Sequence, residues 1–225
     1  MLIASLSMPE QVTLTLSALI LLSSFLLLAQ VRVDSLINTF ALQGLLLFSA
    51  TLAIAFISGK YDLLISAALT LGLKVIFIPS LLRRLIIRLD IHREIEVLVK
   101  PSLVMLFGGG LVLFSYYVSL PITELSLLST RNTIAISLAV VLIGMLMIIS
   151  RRKAISQVIG FMSMENGLFF AAVVSTFGMP MVVELGIAFD VLVAVILFGV
   201  FFFHIRAEIG SLDTDRLNRL NEVDK

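Results

Sequence analysis

The sequence has no cysteine and only two histidines. Without cysteine the chain forms no disulfide, no thiolate metal site and no cysteine-bound iron–sulfur cluster. The two histidines, His92 and His204, lie too far apart in sequence to make a local metal or haem motif. Phosphate-loop, nucleophile-elbow and zinc-protease motifs are also absent. We therefore expect no cofactor, no metal and no redox centre carried by this chain itself.

Charged residues are also scarce, and apolar residues are abundant. Of the 225 residues, 14% are charged and 60% are hydrophobic, and the mean hydropathy is +1.14. Soluble domains are about 25% charged and about 45–50% apolar. The composition predicts an all-α polytopic membrane protein. We expect it to lie in the lipid bilayer and to bind no nucleic acid. Apolar windows give seven candidate spans, at about 12–30, 36–58, 62–82, 98–119, 132–150, 155–177 and 181–205.

Lysine and arginine are distributed unequally between the two sets of alternating loops. One set, which includes the C-terminal tail, holds 13 of the 16 cations, whereas the other holds only Lys60 and Arg131. The remaining cation, Lys74, lies inside a span. Because cytoplasmic loops are enriched in lysine and arginine, we expect the N-terminus outside and the C-terminus in the cytoplasm. This corresponds to a multi-pass protein of the cell inner membrane.

The order of spans suggests an internal organisation. Spans one to three and five to seven share the same sequence of turns and central polar residues, with the fourth span between them. A parallel repeat and a coincidence are both compatible with this pattern. Gly108, Gly109 and Gly110 in the fourth span favour a small-residue face for close helix packing. The expected units are residues 1–97, a linking helix at 98–131, a second three-helix unit at 132–209 and a cytoplasmic tail at 210–225.

Three spans each carry an ionisable residue near the middle of the bilayer. From the helical rise, Glu165, Lys74 and Asp190 lie roughly 14–18 Å from one end of their spans, about half of a ~30 Å hydrocarbon core. Charged side chains at that depth are costly, at about 2.5–3.5 kcal/mol on insertion scales. The pattern predicts that the three side chains face the protein interior at a shared level.

Two interpretations of these residues remain open. In a proton relay, the proton affinity of each group depends on the charge of its neighbours, so a distant event moves a proton along the row. In a static ion pair, the buried charges only hold helices in register. Pro79 leaves the carbonyl of Val75 without its helical donor, which predicts a bend one turn after Lys74. Glu184 lies in the first turn of its span and is interpreted equally well as an outer entry or exit group or as a solvated helix end.

Several stretches resemble known families. The segment from Ile143 to Phe170, with its cationic turn and mid-helix Glu165, resembles the K subunit of bacterial complex I and the C subunit of Mrp-type cation/proton antiporters. A longer resemblance is to the hydrogenase-4 component E family, the membrane subunit of formate-hydrogenlyase-type, group 4 [NiFe] hydrogenase complexes. It rests on four motifs: KVIFIP at 74–79, MENG at 164–167, VELGIAFDVLVAV at 183–195 and GSLD at 210–213.

This resemblance implies a function. The chain would be a subunit of a proton- or sodium-translocating complex, with Glu165 as the family's mid-helix glutamate and Asp190 or Glu184 as the second acid. Its expected neighbours are antiporter-like membrane subunits and a cytoplasmic [NiFe] hydrogenase or related redox module. Two alternatives are a subunit of a multisubunit cation/proton antiporter and a structural membrane anchor with static buried charges.

Overall fold

The computed structural model describes residues 8–59, 62–88, 100–121 and 128–176, together with 186, 190–193, 195, 196 and 199. The described chain is helical and contains no β-strand within these ranges. Its helices are α1 (Met8–Ala29), α2 (Val33–Ser58), α3 (Asp62–Thr70), a π-helical segment (Leu71–Phe77), α4 (Ile78–Arg88), α5 (Pro101–Ser119), α6 (Leu128–Ser150) and α7 (Ala154–Thr176).

Six stretches of helix in the described ranges are long and apolar enough to cross a membrane. The third of them, Leu63–Ile87, combines α3, the π-helical segment and α4. The six agree with the first six predicted spans to within a few residues, so the all-α, membrane-spanning class is confirmed. The seventh predicted span, 181–205, lies largely outside the described residues.

Helices α1, α2, α6 and α7 surround the apolar core. Helix α1 packs on α2 and α6, α2 packs on α7 and on the whole third span, and α5 packs on α1 and α6. The core contains Ile20 of α1, Leu47 of α2, Val140 of α6 and Phe170 of α7. Large apolar side chains on the outer faces, such as Phe56 and Leu106, are exposed. Exposed apolar surface is expected where a helix faces lipid rather than water.

Glycines bring α6 and α7 close together. A Cβ added at Gly144 would lie 2.6 Å from the backbone nitrogen of Met164, and one at Gly167 would lie 2.9 Å from the backbone nitrogen of Val141. Both separations are shorter than side chains tolerate, so only glycine permits this helix spacing. Small residues have this role in membrane helices because lipid supplies little hydrophobic drive for helix association.

The glycine triplet of α5 packs less than its sequence predicts. Gly108 meets the side chains of Phe25 and Leu28 on α1, whereas Gly109 and Gly110 have no neighbour within 4 Å of an added Cβ. The small-residue packing face therefore consists of one glycine rather than three.

A further glycine, Gly59, ends α2 with a φ of 66°. Glycine adopts this left-handed conformation without steric cost.

The chain forms two compact units, Met1–Asp190 and Val191–Lys225. All the side chains of the candidate site described below belong to the first unit.

Candidate functional site

Lys74 is the centre of a buried polar cluster. Its side chain is 2% exposed, and its ammonium donates hydrogen bonds to Glu165 Oε2 and, at 2.9 Å, to Asn166 Oδ1. Asp190 Oδ1 lies 3.6 Å from the same nitrogen. The structure thus brings together the three ionisable residues that the sequence places at one depth. We name Lys74, Glu165 and Asp190 the ion cluster.

The backbone around Lys74 departs from α-helical geometry. Lys74 is the buried residue of the π-helical segment, whose end is marked by a bond from the Ile78 N–H to the carbonyl of Leu73, five residues back. Pro79 follows directly and has no N–H to continue the α-helical ladder. A π-helical turn rotates the following residues by about 100° relative to an uninterrupted α-helix. The bend predicted one turn after Lys74 stays a prediction, whereas the structure shows a π-helical segment that includes Lys74 itself.

A glycine of α2 makes room for this segment. A Cβ at Gly44 would lie 3.3 Å from Lys74 Cβ and 3.3 Å from Val75 Cγ2, which is tighter than most side-chain contacts. The absence of a side chain at Gly44 therefore lets the π-helical segment approach α2.

Residues of the MENG motif in α7 contact two different helical segments, the π-helical segment and α6. Glu165 and Asn166 contact Lys74, whereas Gly167 packs against Val141 of α6. Consecutive helical residues point about 100° apart, so two adjacent polar side chains can flank one ammonium while the third residue faces a different helix. The motif therefore joins the ion cluster to the close α6–α7 contact.

Aromatic and backbone groups close the cluster on another side. The ring centroid of Phe169 lies 5.4 Å from Lys74 Nζ, within the range of a cation–π interaction. A Cβ at Gly186 would lie 3.1 Å from the Phe169 ring and 3.3 Å from Glu165 Oε1. The absence of a side chain at Gly186 therefore leaves room for Phe169 and Glu165 of α7.

A chain of uncharged polar side chains leads away from Lys74. Asn166 Nδ2 donates to Gln43 Oε1 at 3.1 Å, Gln43 Nε2 donates to Ser24 Oγ at 2.8 Å, and Ser24 Oγ donates to the carbonyl of Ile20 at 3.1 Å. All three side chains are fully buried. We name Ser24, Gln43 and Asn166 the amide chain; it connects α7, α2 and α1.

The acids of the ion cluster retain unused acceptor capacity. Glu165 Oε1 and Asp190 Oδ1 are buried and accept no hydrogen bond from the part of the chain that the structure describes, although Asp190 Oδ1 lies 3.6 Å from the ammonium of Lys74. Buried polar atoms in native proteins are nearly always paired. Two unpaired carboxyl oxygens beside one ammonium therefore leave room for one more proton in the cluster.

A second buried cation lies in the turn between α6 and α7. Arg151 is 3% exposed, and its Nη2 donates to the carbonyl of Leu28 at 2.6 Å, while Nε and Nη1 have no hydrogen-bond partner. Burial lowers the pKa of the Arg151 guanidinium below its ordinary value. The sequence predicts a cationic turn between two spans at this position, and nothing in that pattern indicates the burial of Arg151.

Of the four residues predicted for the ion path, three meet in the ion cluster and the fourth, Glu184, lies outside the described residues. The sequence interpretation did not assign roles to Asn166, Gln43 or Phe169. Two of these residues are nevertheless recognisable in the sequence, since Asn166 adjoins Glu165 and Gln43 is a polar residue in the middle of an apolar span.

Within the described ranges, no three histidine, aspartate or glutamate side chains are grouped as metal ligands.

Comparison with known proteins gives full-length relatives. The chain is 31% identical over 208 residues to the uncharacterised protein Rv0085 of Mycobacterium tuberculosis, covering 90% of this chain and 93% of the relative. It is 26% identical over 205 residues to the hydrogenase-4 component E of Escherichia coli strain K12, covering 91% and 95%. The protein of the same name from Shigella flexneri has the same identity and coverage. No protein-family model matches the chain, and neither does any solved structure.

Proposed function

Because the chain belongs to the hydrogenase-4 component E family, we propose that it is a membrane subunit of a hydrogenase complex and forms part of a proton path. Lys74, Glu165 and Asp190 carry the proton, or alternatively Na⁺, across the middle of the bilayer. The redox chemistry that drives the movement takes place on partner subunits. Glu184 remains a proposed outer end of this path.

The observation that supports this proposal best is the unequal charge count of the ion cluster. One ammonium faces two carboxyl groups, and all three are buried. Lys74 and Glu165 lie in helices long and apolar enough to cross a membrane, and Asp190 lies in the predicted seventh span. If all three were ionised, a net negative charge would remain in a low-dielectric region, at a cost of several kcal/mol. One further proton neutralises the cluster, and Glu165 Oε1 and Asp190 Oδ1 are the unpaired oxygens that can hold it. A static anchor would need only one acid for one base.

The partners follow from the same family membership. We propose that large antiporter-like membrane subunits continue the path and that a cytoplasmic [NiFe] hydrogenase, or a related redox module, supplies the free energy. The complex would reside in the inner membrane, with the cationic α6–α7 turn on the cytoplasmic side, as the distribution of lysine and arginine predicts.

The proposal is tested by removing the titratable proton while keeping the shape of the side chain, in Glu165→Gln. We expect a normal yield of the assembled complex and loss of ion translocation, because membrane-buried groups can take up protons or find other partners. Asp190→Asn should cause a similar but milder loss. Translocation is measured in inverted membrane vesicles with a pH-sensitive dye, and hydrogen turnover is measured in the same vesicles.

The matched control is Asp34→Asn. Asp34 is an acid in the first turn of α2, ten residues, or about 15 Å, along the helix from Gly44. The Asp34→Asn variant should leave ion translocation unchanged. Full translocation by a well-assembled Glu165→Gln complex would refute the relay. A Glu165→Gln complex that is destabilised by about 3–5 kcal/mol, and whose yield recovers when Lys74 is also neutralised, would instead favour the static anchor.

A further inference from the structure

The amide chain has one direction throughout. An ammonium has three donors and no acceptor, so Asn166 must present its oxygen to Lys74 and its NH₂ to the next residue. Gln43 then presents its oxygen to Asn166 and its NH₂ to Ser24, whose hydroxyl donates to the carbonyl of Ile20. Every oxygen along the chain faces Lys74, and every hydrogen faces away from it.

Such an ordered chain favours positive charge at its oxygen end. Hydrogen bonds in series polarise one another, more strongly in a low-dielectric interior than in water. A side chain amide that is itself donating a hydrogen bond is a better acceptor at its oxygen. The arrangement of Asn166, Gln43 and Ser24 therefore stabilises the charged form of Lys74 in particular.

The same chain is unsuited to carry protons. To pass a proton along, each member must accept it at one end and release it at the other, and carboxamides do neither near neutral pH. The chain also ends on the carbonyl of Ile20, a backbone group that already belongs to α1. By contrast, Glu165 and Asp190 are both titratable and both have an unpaired oxygen.

We infer that Ser24, Gln43 and Asn166 form a positioning chain that holds Lys74 charged and closes the ion cluster to protons on the side of α1. Protons then leave Lys74 and Glu165 only toward Asp190. This inference rests on the proposed function and adds a direction to it. The titratable groups that face Lys74 within the described ranges are Glu165 of α7 and Asp190, whereas α1 and α2 contribute only uncharged members of the chain.

The test is a graded series of variants at increasing distance from Lys74: Asn166→Leu, Gln43→Leu and Ser24→Ala. Each is examined in inverted vesicles from cells that carry only the variant gene, with H₂ and formate offered in turn as electron donors. Dye quenching is recorded from mildly acidic to strongly alkaline pH. We expect the upper pH limit of translocation to fall in Asn166→Leu, because the ammonium loses a hydrogen-bond acceptor. The fall should be smaller in Gln43→Leu and smallest in Ser24→Ala.

Two further variants separate positioning from packing. Ser17→Ala removes another buried hydroxyl of α1, which donates to the carbonyl of Thr13 and not to the carbonyl on which the amide chain ends, and should leave the upper pH limit unchanged. Gln43→Glu keeps the shape and the oxygen that faces Asn166, so it should assemble and keep the wild-type limit or exceed it. It also preserves the test if the leucine variants fail to assemble.

The outcomes distinguish this inference from the proposed function. An unchanged upper pH limit in assembled Asn166→Leu, or a lowered limit in Gln43→Glu, would overturn the positioning chain and leave the ion path intact. Loss of translocation at every pH in assembled Gln43→Leu, as severe as in Asp190→Asn, would show that protons use the amide chain. Failure of the ion path itself is instead shown by full translocation in assembled Glu165→Gln.

Discussion

Two buried cations of this protein have opposite surroundings. Lys74, in the middle of a span, has a carboxylate and an amide oxygen as hydrogen-bond acceptors, a second acid 3.6 Å away and an aromatic ring beside it. Arg151, between two spans, donates to one backbone carbonyl and leaves two nitrogens unpaired. Within the described ranges, no acid forms an ion pair with Arg151.

Burial of a cation therefore does not by itself indicate an ion path. Proton exchange needs a titratable group and titratable neighbours, which Lys74 has. An arginine remains protonated at neutral pH even when burial lowers its pKa. Leu28 belongs to the last turn of α1, where exposed carbonyls attract positive charge. Arg151 is thus suited to fasten the end of α1 to the α6–α7 turn.

Lys74→Met should have the largest effect among changes that test this comparison. The substitution keeps an unbranched chain but removes the charge that faces two carboxyl groups. We expect complete loss of translocation with a near-normal yield of the assembled complex, because Glu165 and Asp190 can take up protons when the ammonium is absent. A yield that falls in Lys74→Met and is restored by adding Glu165→Gln would instead favour the static anchor. The comparison fails if Lys74→Met alone still translocates ions.

Gly144→Ala should have the second largest effect, through helix spacing. The new Cβ would lie 2.6 Å from the backbone nitrogen of Met164, the residue before Glu165. Overpacking of this kind costs about 1–3 kcal/mol, and it pushes α7 away from α6 at the ion cluster. We expect lower thermal stability and weaker coupling of translocation to hydrogen turnover.

Gly110→Ala is the control for this change, because an added Cβ would meet no other described helix within 4 Å. Alanine is also the better helix former by about 1 kcal/mol, so the thermal stability of Gly110→Ala should equal or exceed that of the wild type. Equal stability of Gly144→Ala and Gly110→Ala would contradict the close approach of α6 and α7.

Arg151→Gln should have the smallest effect. It removes a charge-assisted bond to Leu28 but also relieves two unpaired buried nitrogens, so we expect a loss of only about 1 kcal/mol in stability. Ions moved per hydrogen turned over should be unchanged at every pH, as in its exposed neighbour Arg152→Gln. An Arg151→Gln complex that is stable but uncoupled would place Arg151 with Lys74 in the ion path.

Much of the fold was predictable because apolar windows of membrane length have few alternative structures. A helix satisfies its own backbone in lipid, so six predicted spans match helices to within a few residues. Lys74, Glu165 and Asp190 were recognisable for the same reason, since an ionisable residue inside an apolar window is costly and conspicuous. Their contact was an expectation from equal depth, and the structure places them within one cluster.

The amide chain and Arg151 were not predictable in this way. Gln43 and Asn166 are recognisable as polar residues in spans, but their partnership depends on how α2 and α7 are rotated about their axes. Arg151 belongs to a run of three cations, which normally indicates a solvated loop. Its burial depends on the end of α1 lying over the α6–α7 turn, and those two segments are more than a hundred residues apart in sequence.

The amino-acid sequence by itself determined the all-α membrane class, the positions of the described spans and the residues with a charge to satisfy at mid-depth. These follow from hydropathy and helical rise, which are local properties of the chain. Tertiary structure alone decided which partner each buried group meets. Lys74 meets Glu165 and Asn166 because Pro79 follows a π-helical turn, Gly44 admits that turn against α2, and Gly144 and Gly167 hold α7 close to α6. Partner choice depends on helix rotation and spacing, which arise only when distant segments pack together.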